Sequence, residues 1–212
     1  MTQFEKTFNV MKKYWVIIAY IILAVLSYYF IDRTLAVYFH SLNLRTNFHV
    51  LNYVTALGQW KIYAVLFFIA ALYFRYIQQN ERYEVRFWYL FGCVLIPNLF
   101  TFVLKIGVSR ARPDLLFDNN SYGFYWFQLK DAYWSFPSGH SITSTALAAG
   151  LGYIFPRYFF IFIGLALLVA ATRVILYHHY FSDVMTGFYI SMLMVGLFTQ
   201  YLKRNHYLDK VN

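Results

Sequence analysis

Apolar residues in this chain gather into six runs, at about 14–31, 60–77, 87–106, 139–155, 158–177 and 184–202, separated by stretches where charged and turn-forming residues collect. Each run is close to the ~20 residues that an α-helix needs to cross a hydrocarbon core of ~30 Å. Tyrosine and tryptophan cluster near the run ends (Tyr14, Trp15, Tyr28, Tyr29, Trp60, Trp88), where amphipathic rings anchor a helix at the membrane interface. The first run follows Lys12 and Lys13, as a signal peptide would. It is long, however, and Ser27-Tyr28-Tyr29-Phe30 offers no small-residue cleavage site, so a retained span is expected.

Two connections carry structure of their own. The stretch 32–59 is too polar to span, and its spaced apolar residues (Leu35, Phe39, Leu42; then Val50, Leu51, Val54, Leu57) predict short helices on the membrane surface, with Gly58 as a stop. The stretch 107–137 holds Asp118-Asn119-Asn120 and an aromatic-rich segment from Tyr122 to Phe136. A loop of that length is usually a lid or a binding loop, or else it wedges into the interface.

Composition agrees with the pattern. Of 212 residues, 60% are hydrophobic and 13% charged, against about 45–50% and about 25% in soluble domains. The expected architecture is a single all-α domain over 1–212, an integral membrane bundle of six transmembrane helices with short interfacial helices in the first outer loop. The net charge of +9 fits attraction to anionic headgroups; a nucleic-acid partner would need a soluble basic face, and none is present. The single cysteine, Cys93, excludes an intramolecular disulfide. Outside the candidate site, ten Lys and Arg fall on the side of the termini and five on the other. The termini are therefore expected in the cytoplasm and the opposite loops outside. Oligomeric state has no signature in the sequence.

Ionisable residues at membrane depth are costly and default to a functional reading. Lys105 and Arg112 are seven residues apart, which places both on one helical face, with the helix expected to end at Arg112 because Pro113 disfavours it there. Their alternative role is as snorkelling cations capping a span. Ser138-Gly139-His140 precedes the fourth run, with Ser138 or Ser141 as a cap and exposed amides able to hold an anion. Arg173 ends the fifth run. His179 and Asp183 stand at i, i+4, a spacing that lets the carboxylate bond one ring nitrogen if that turn is helical, leaving the other as nucleophile. A competing metal site from His140, His178, His179 and Asp183 would be opposed by the nearby cations. His40, His49 and His206 lack cationic or acidic context.

Jointly these residues resemble the three-part signature of the type 2 phosphatidic acid phosphatase superfamily: Lys-x6-Arg-Pro (Lys105, Arg112, Pro113), Pro-Ser-Gly-His (Pro137 to His140), and Ser-Arg-x5-His-x3-Asp, met here as Thr172, Arg173, His179 and Asp183. The resemblance implies that His179 attacks phosphorus to form a phosphohistidine, held by Asp183. His140 would protonate the leaving oxygen and then activate water, while Lys105, Arg112, Ser138, Gly139 and Arg173 hold the phosphate. It implies no metal and no cofactor, a lipid phosphate substrate in a bacterial inner membrane, and an outward-facing site. Undecaprenyl pyrophosphate is the first expectation, ahead of lipid A 1-phosphate, phosphatidylglycerophosphate or phosphatidate. Transfer to a second lipid, or a catalytically silent lipid-binding or transport protein, are the further readings.

Overall fold

The computed structural model describes residues 1–47 and 49–211, without the side chains of Asn47 and His49, so the expectation for His49 lies outside the described residues. In chain order the helices are α1 Gln3–Met11, α2 Tyr14–Phe30, α3 Asp32–Ser41, α4 Leu44–Asn47, α5 His49–Ala56, α6 Trp60–Tyr76, α7 Glu81–Val108, α8 Pro113–Asn119, α9 Gly139–Ile154, α10 Phe159–Ile175 and α11 Phe181–Arg204.

All six apolar runs are helical, as α2, α6, α7, α9, α10 and α11. By length and composition, α7, Pro156–Ile175 and α11 can each cross a membrane, and up to five spans result if the bent pairs α1–α2 (74°) and Val50–Ala56 with α6 (46°) each count as one. The expected count of six is thus not established. The difference is α9, whose 16 residues extend only ~24 Å, short of a hydrocarbon core of ~30 Å.

That short helix is the centre of the bundle. It packs against α7, α10 and α11, and its buried face is rich in small residues (Ser141, Thr143, Ser144, Thr145, Ala146, Ala148, Ala149). Small side chains let helix backbones approach where lipid supplies no hydrophobic drive for helix association. At its N-terminal end, a Cβ on Gly187 of α11 would sit 2.9 Å from the carbonyl of Ser138, so that glycine brings the starts of α9 and α11 together. On the other flank, Asn98 of α7 donates to Val94 O (2.8 Å) beside Pro97, which has no N–H, and its Oδ1 accepts from Thr143 of α9 (3.1 Å). The apolar core below is built from Tyr89, Cys93, Val94, Ala146, Ala149, Met192 and Val195.

The chain between α7 and α9 corrects one expectation. Helix α7 does not run on to Arg112. It stops at Ser109, which is left-handed (φ 44°), and whose hydroxyl donates to the carbonyls of Lys105 (3.0 Å) and Ile106 (2.7 Å). Side-chain bonding of this kind competes with helix continuation. The chain turns there, and Arg112 becomes the extended residue before α8, with Pro113 at the first helical position where its missing N–H costs nothing. The stretch then folds back on itself: Ala111 N donates to Gly123 O (3.0 Å), Tyr125 N to Ser109 O (2.8 Å), Arg112 N to Ala132 O (2.9 Å) and Ser135 N to Arg110 O (3.0 Å). Short helices α3 to α5 occupy the 32–59 connection, as its pattern predicts.

Candidate active site

A cavity of about 400 Å³ opens where α7 and α10 end and α9 begins. Lys105, Arg112, Gly139, His140, Arg173 and His179 all line it, so the structure brings six of the eight expected residues to one surface. Gly58, Trp60, Lys61, Asp131 and Trp134 complete much of the wall. Ser138 and Asp183 do not reach it. Both are fully buried behind the wall, where Ser138 N donates to the Asp183 carbonyl (3.1 Å) and the Ser138 hydroxyl accepts from Ser141 (3.1 Å). The position of Ser138 fixes the start of α9 and so the Gly139 amide.

The cations are drawn inward by loops from both sides. Lys105 Nζ donates to the carbonyl of Trp134. Arg112 pairs with the exposed carboxylate of Asp131 at 2.9 Å, and Arg173 NH1 donates to Thr55 of α5 at 2.7 Å. The Nε atoms of Arg112 and Arg173 are buried and have no partner in the structure. Guanidinium groups taken from water without full pairing are expensive, and they favour an oxyanion that can accept two parallel N–H bonds, such as a phosphate.

His140, at the second position of α9, lies against the turn before α6. A Cβ on Gly58 would stand 2.6 Å from His140 Cδ2. Residue 58 must therefore be glycine for this ring position, a demand beyond the stop signal read from the sequence.

The expected His179–Asp183 bond is absent, and a different one replaces it. Helix α11 begins at Phe181, after an extended Tyr180 (φ −75°, ψ 161°), so His179 stands outside the helical turn that would have set the i, i+4 contact. Its Nδ1 lies 2.7 Å from the Ser135 carbonyl. A carbonyl can only accept, so the proton sits on Nδ1 and Nε2 keeps its lone pair. Burial, then the charges of Arg173, Lys105 and Arg112, hold this imidazole well below its ordinary range, which keeps it neutral. Asp183 caps α11 instead: its Oδ2 accepts from Tyr180 N (3.0 Å) and Ser135 Oγ (2.6 Å), and its Oδ1 from Arg110 (2.5 Å). With both oxygens engaged and His178 absent from the cavity wall, the four-residue metal cluster weighed from the sequence does not assemble.

Residues 86–207 match the PAP2 superfamily. The chain belongs to that superfamily. Lipid A 1-phosphatases of Rhizobium johnstonii and Rhizobium etli are each 42% identical over 99 residues, 47% of this chain and 41% and 43% of theirs. A PA-phosphatase related-family protein of Dictyostelium discoideum is 29% identical over 142 residues, 57% of this chain and 49% of its own. The chain thus spans less than half the length of the curated relatives it matches. A solved transmembrane PAP2 type phosphatidylglycerolphosphate phosphatase from Bacillus subtilis aligns with 95% of this chain and 92% of its own, at 18% identity and a TM-score of 0.46. All eight expected site residues lie inside the PAP2 match, whereas Asp32, Thr55 and Gly58, which the structure adds around the site, lie before it.

Sequence reasoning missed Ser135, Arg110 and Asp32. Ser135 meets His179 through its main-chain carbonyl, which leaves no signature. Arg110 and Asp32 did carry one: each is an ionisable residue at the edge of an apolar run, the criterion that singled out the others.

Proposed function

We propose that this chain is a membrane lipid phosphatase that works through a phosphohistidine and without a metal. The observation that carries the reading is the cavity itself, where cations from α7, the turn before α8 and α10 face a neutral histidine with a free Nε2 and a second histidine beside a helix start. Lys105, Arg112, Arg173 and the Gly139 amide would hold the phosphoryl oxygens. Phosphoryl transfer asks little beyond positioning and charge stabilisation. His179 Nε2 attacks phosphorus, and the P–O bond to the lipid breaks as His140 gives its proton to the leaving oxygen. His140 then takes a proton from water, which attacks the phosphohistidine, releases phosphate and restores His179.

Among lipid phosphates, the two relatives named lipid A 1-phosphatase favour that substrate over undecaprenyl pyrophosphate, the first expectation from the family at large. A panel of purified lipid phosphates, including both, assayed for phosphate release in excess EDTA, tests the proposal. Release from at least one, with lipid A 1-phosphate turned over best, supports it. Activity lost in EDTA and restored by zinc or magnesium would sink the metal-free mechanism, and transfer only to an added acceptor lipid would make the enzyme a phosphotransferase. The excess of cations on the side of the termini supports a bacterial inner-membrane protein with its site facing outward. With Cys93 replaced, an impermeant thiol reagent on intact cells should label a cysteine at Asn119 and not one at Asn205; the reverse would invert the topology.

A further inference from the structure

Behind His179, on the side away from the cavity, lies a sealed ionic cluster. Arg110 is fully buried with its partners Asp32 and Asp183, at 2.8 Å from the first carboxylate and 2.5 Å from the second. Rings of Tyr180 (4.2 Å), Tyr28 (4.8 Å), Phe124 (5.4 Å) and Tyr122 (5.5 Å) enclose the guanidinium. No substrate can touch it. Ser182 closes the cluster: its hydroxyl accepts from Arg110 (2.8 Å) and donates to Asp32, and its N–H donates to Asp32 Oδ1 (2.9 Å).

The cluster reaches the reacting group through one residue. Ser135 donates its hydroxyl to Asp183 (2.6 Å) and its N–H to the Arg110 carbonyl (3.0 Å), and its own carbonyl meets His179 Nδ1 (2.7 Å). Arg110 therefore holds Ser135 at two points, by its main chain directly and by its side chain through Asp183. We infer that Arg110 is a positioning residue for His179, acting through Asp183 and Ser135, with Asp32 on the first outer helix as its counter-anchor. The inference rests on the phosphohistidine reading above.

Two features separate this from an ordinary structural ion pair. A buried ion pair can often be replaced by apolar residues without loss of stability, so stability alone is a weak reason to keep one. The cluster also carries two carboxylates against one guanidinium, a net negative charge behind His179. That excess faces the positive charge that grows on the imidazole as Nε2 bonds to phosphorus. Both effects, ring placement and charge, matter in the transition state and not in substrate binding, so they act on kcat.

Arg110→Lys keeps the charge but cannot fork onto two carboxylates; Ser135→Ala removes one hydroxyl and keeps the carbonyl. Steady-state kinetics on a short-chain lipid phosphate should show kcat down ~10-fold or more in both, with KM within about twofold of the parent. The Asp183→Ala/Ser135→Ala double variant should lose little more than Asp183→Ala alone, because the two residues act in series. Unchanged kcat, or a rise in KM alone, in a folded variant would overturn the inference. Should Arg110→Lys fail to fold, Ser135→Ala decides by the same criteria. A parent protein inert toward every lipid phosphate would instead sink the phosphatase reading; an active parent with unaffected variants sinks only the role of Arg110.

Discussion

Arg110 and Arg112 stand two residues apart in the same turn and meet opposite fates. Arg110 is enclosed on all sides, with a carboxylate at each fork and no exposed atom. Arg112 lines the cavity, and its one anionic partner is a carboxylate left 72% exposed. Arg173 repeats the second pattern, with a neutral hydroxyl as its partner. A guanidinium sealed between buried carboxylates can act on the reaction only through its neighbours, whereas one held by weak or displaceable partners keeps its affinity for an incoming oxyanion. The left-handed turn at Ser109 decides which is which, because it sends Arg110 inward and releases Arg112 toward the cavity.

The sharpest division concerns the group between the two regions. Replacing His179 with alanine should lower turnover by at least ~1,000-fold, since a nucleophile has no substitute, while the protein stays monodisperse in detergent. His178→Ala, off the cavity wall, should leave turnover near that of the parent. If the two variants exchanged phenotypes in a phosphate-release assay, the assignment of the nucleophile would fall.

Stability should separate the regions next. Asp32→Ala leaves Arg110 buried with one carboxylate fewer and should cost about 3–5 kcal/mol. Asp131→Ala removes only the exposed partner of Arg112 and should cost at most about 1 kcal/mol. Thermal unfolding of both variants in detergent checks the contrast, and equal losses would erase it.

Within the cavity, Arg112→Lys and Arg173→Lys should each lose about 2 kcal/mol or more in kcat/KM, because a point charge cannot make the bidentate contact. Near-parental kcat/KM in both would mean that these cations only anchor helix ends. A smaller effect is expected from Gly58→Ala, whose Cβ would stand 2.6 Å from the His140 ring. Displacing that ring should lower kcat by ~10-fold, and an alanine variant with parental kcat would show that the ring has room to move.

How much of this could be read from the sequence differs between the same two regions. The open cavity was legible, because its residues are charged or nucleophilic groups at the ends of apolar runs, and the helices bring Lys105, Arg112, His140, Arg173 and His179 together as expected. The route was not legible: Lys105 and Arg112 converge through a chain reversal at Ser109, not along one helical face, and that reversal depends on a serine hydroxyl capturing two carbonyls of its own helix. The sealed region was mostly hidden. The i, i+4 spacing allows Asp183 a bond to His179 only in a helical turn, but the helix starts two residues too late for it, and the Ser135 carbonyl takes that place. Main-chain acceptors carry no residue signature, and Asp32 comes from a helix 78 residues before Arg110.

The central claim is that His179 carries the phosphoryl group between the two half-reactions. Rapid quench of the enzyme with a lipid phosphate labelled at phosphorus, under conditions that preserve phosphohistidine, followed by peptide mapping, measures this directly. The label should appear on the peptide bearing His179 at a rate at least equal to turnover, and should be missing from His179→Ala. Steady phosphate release with no labelled peptide, or label on His140 in its place, would contradict the account.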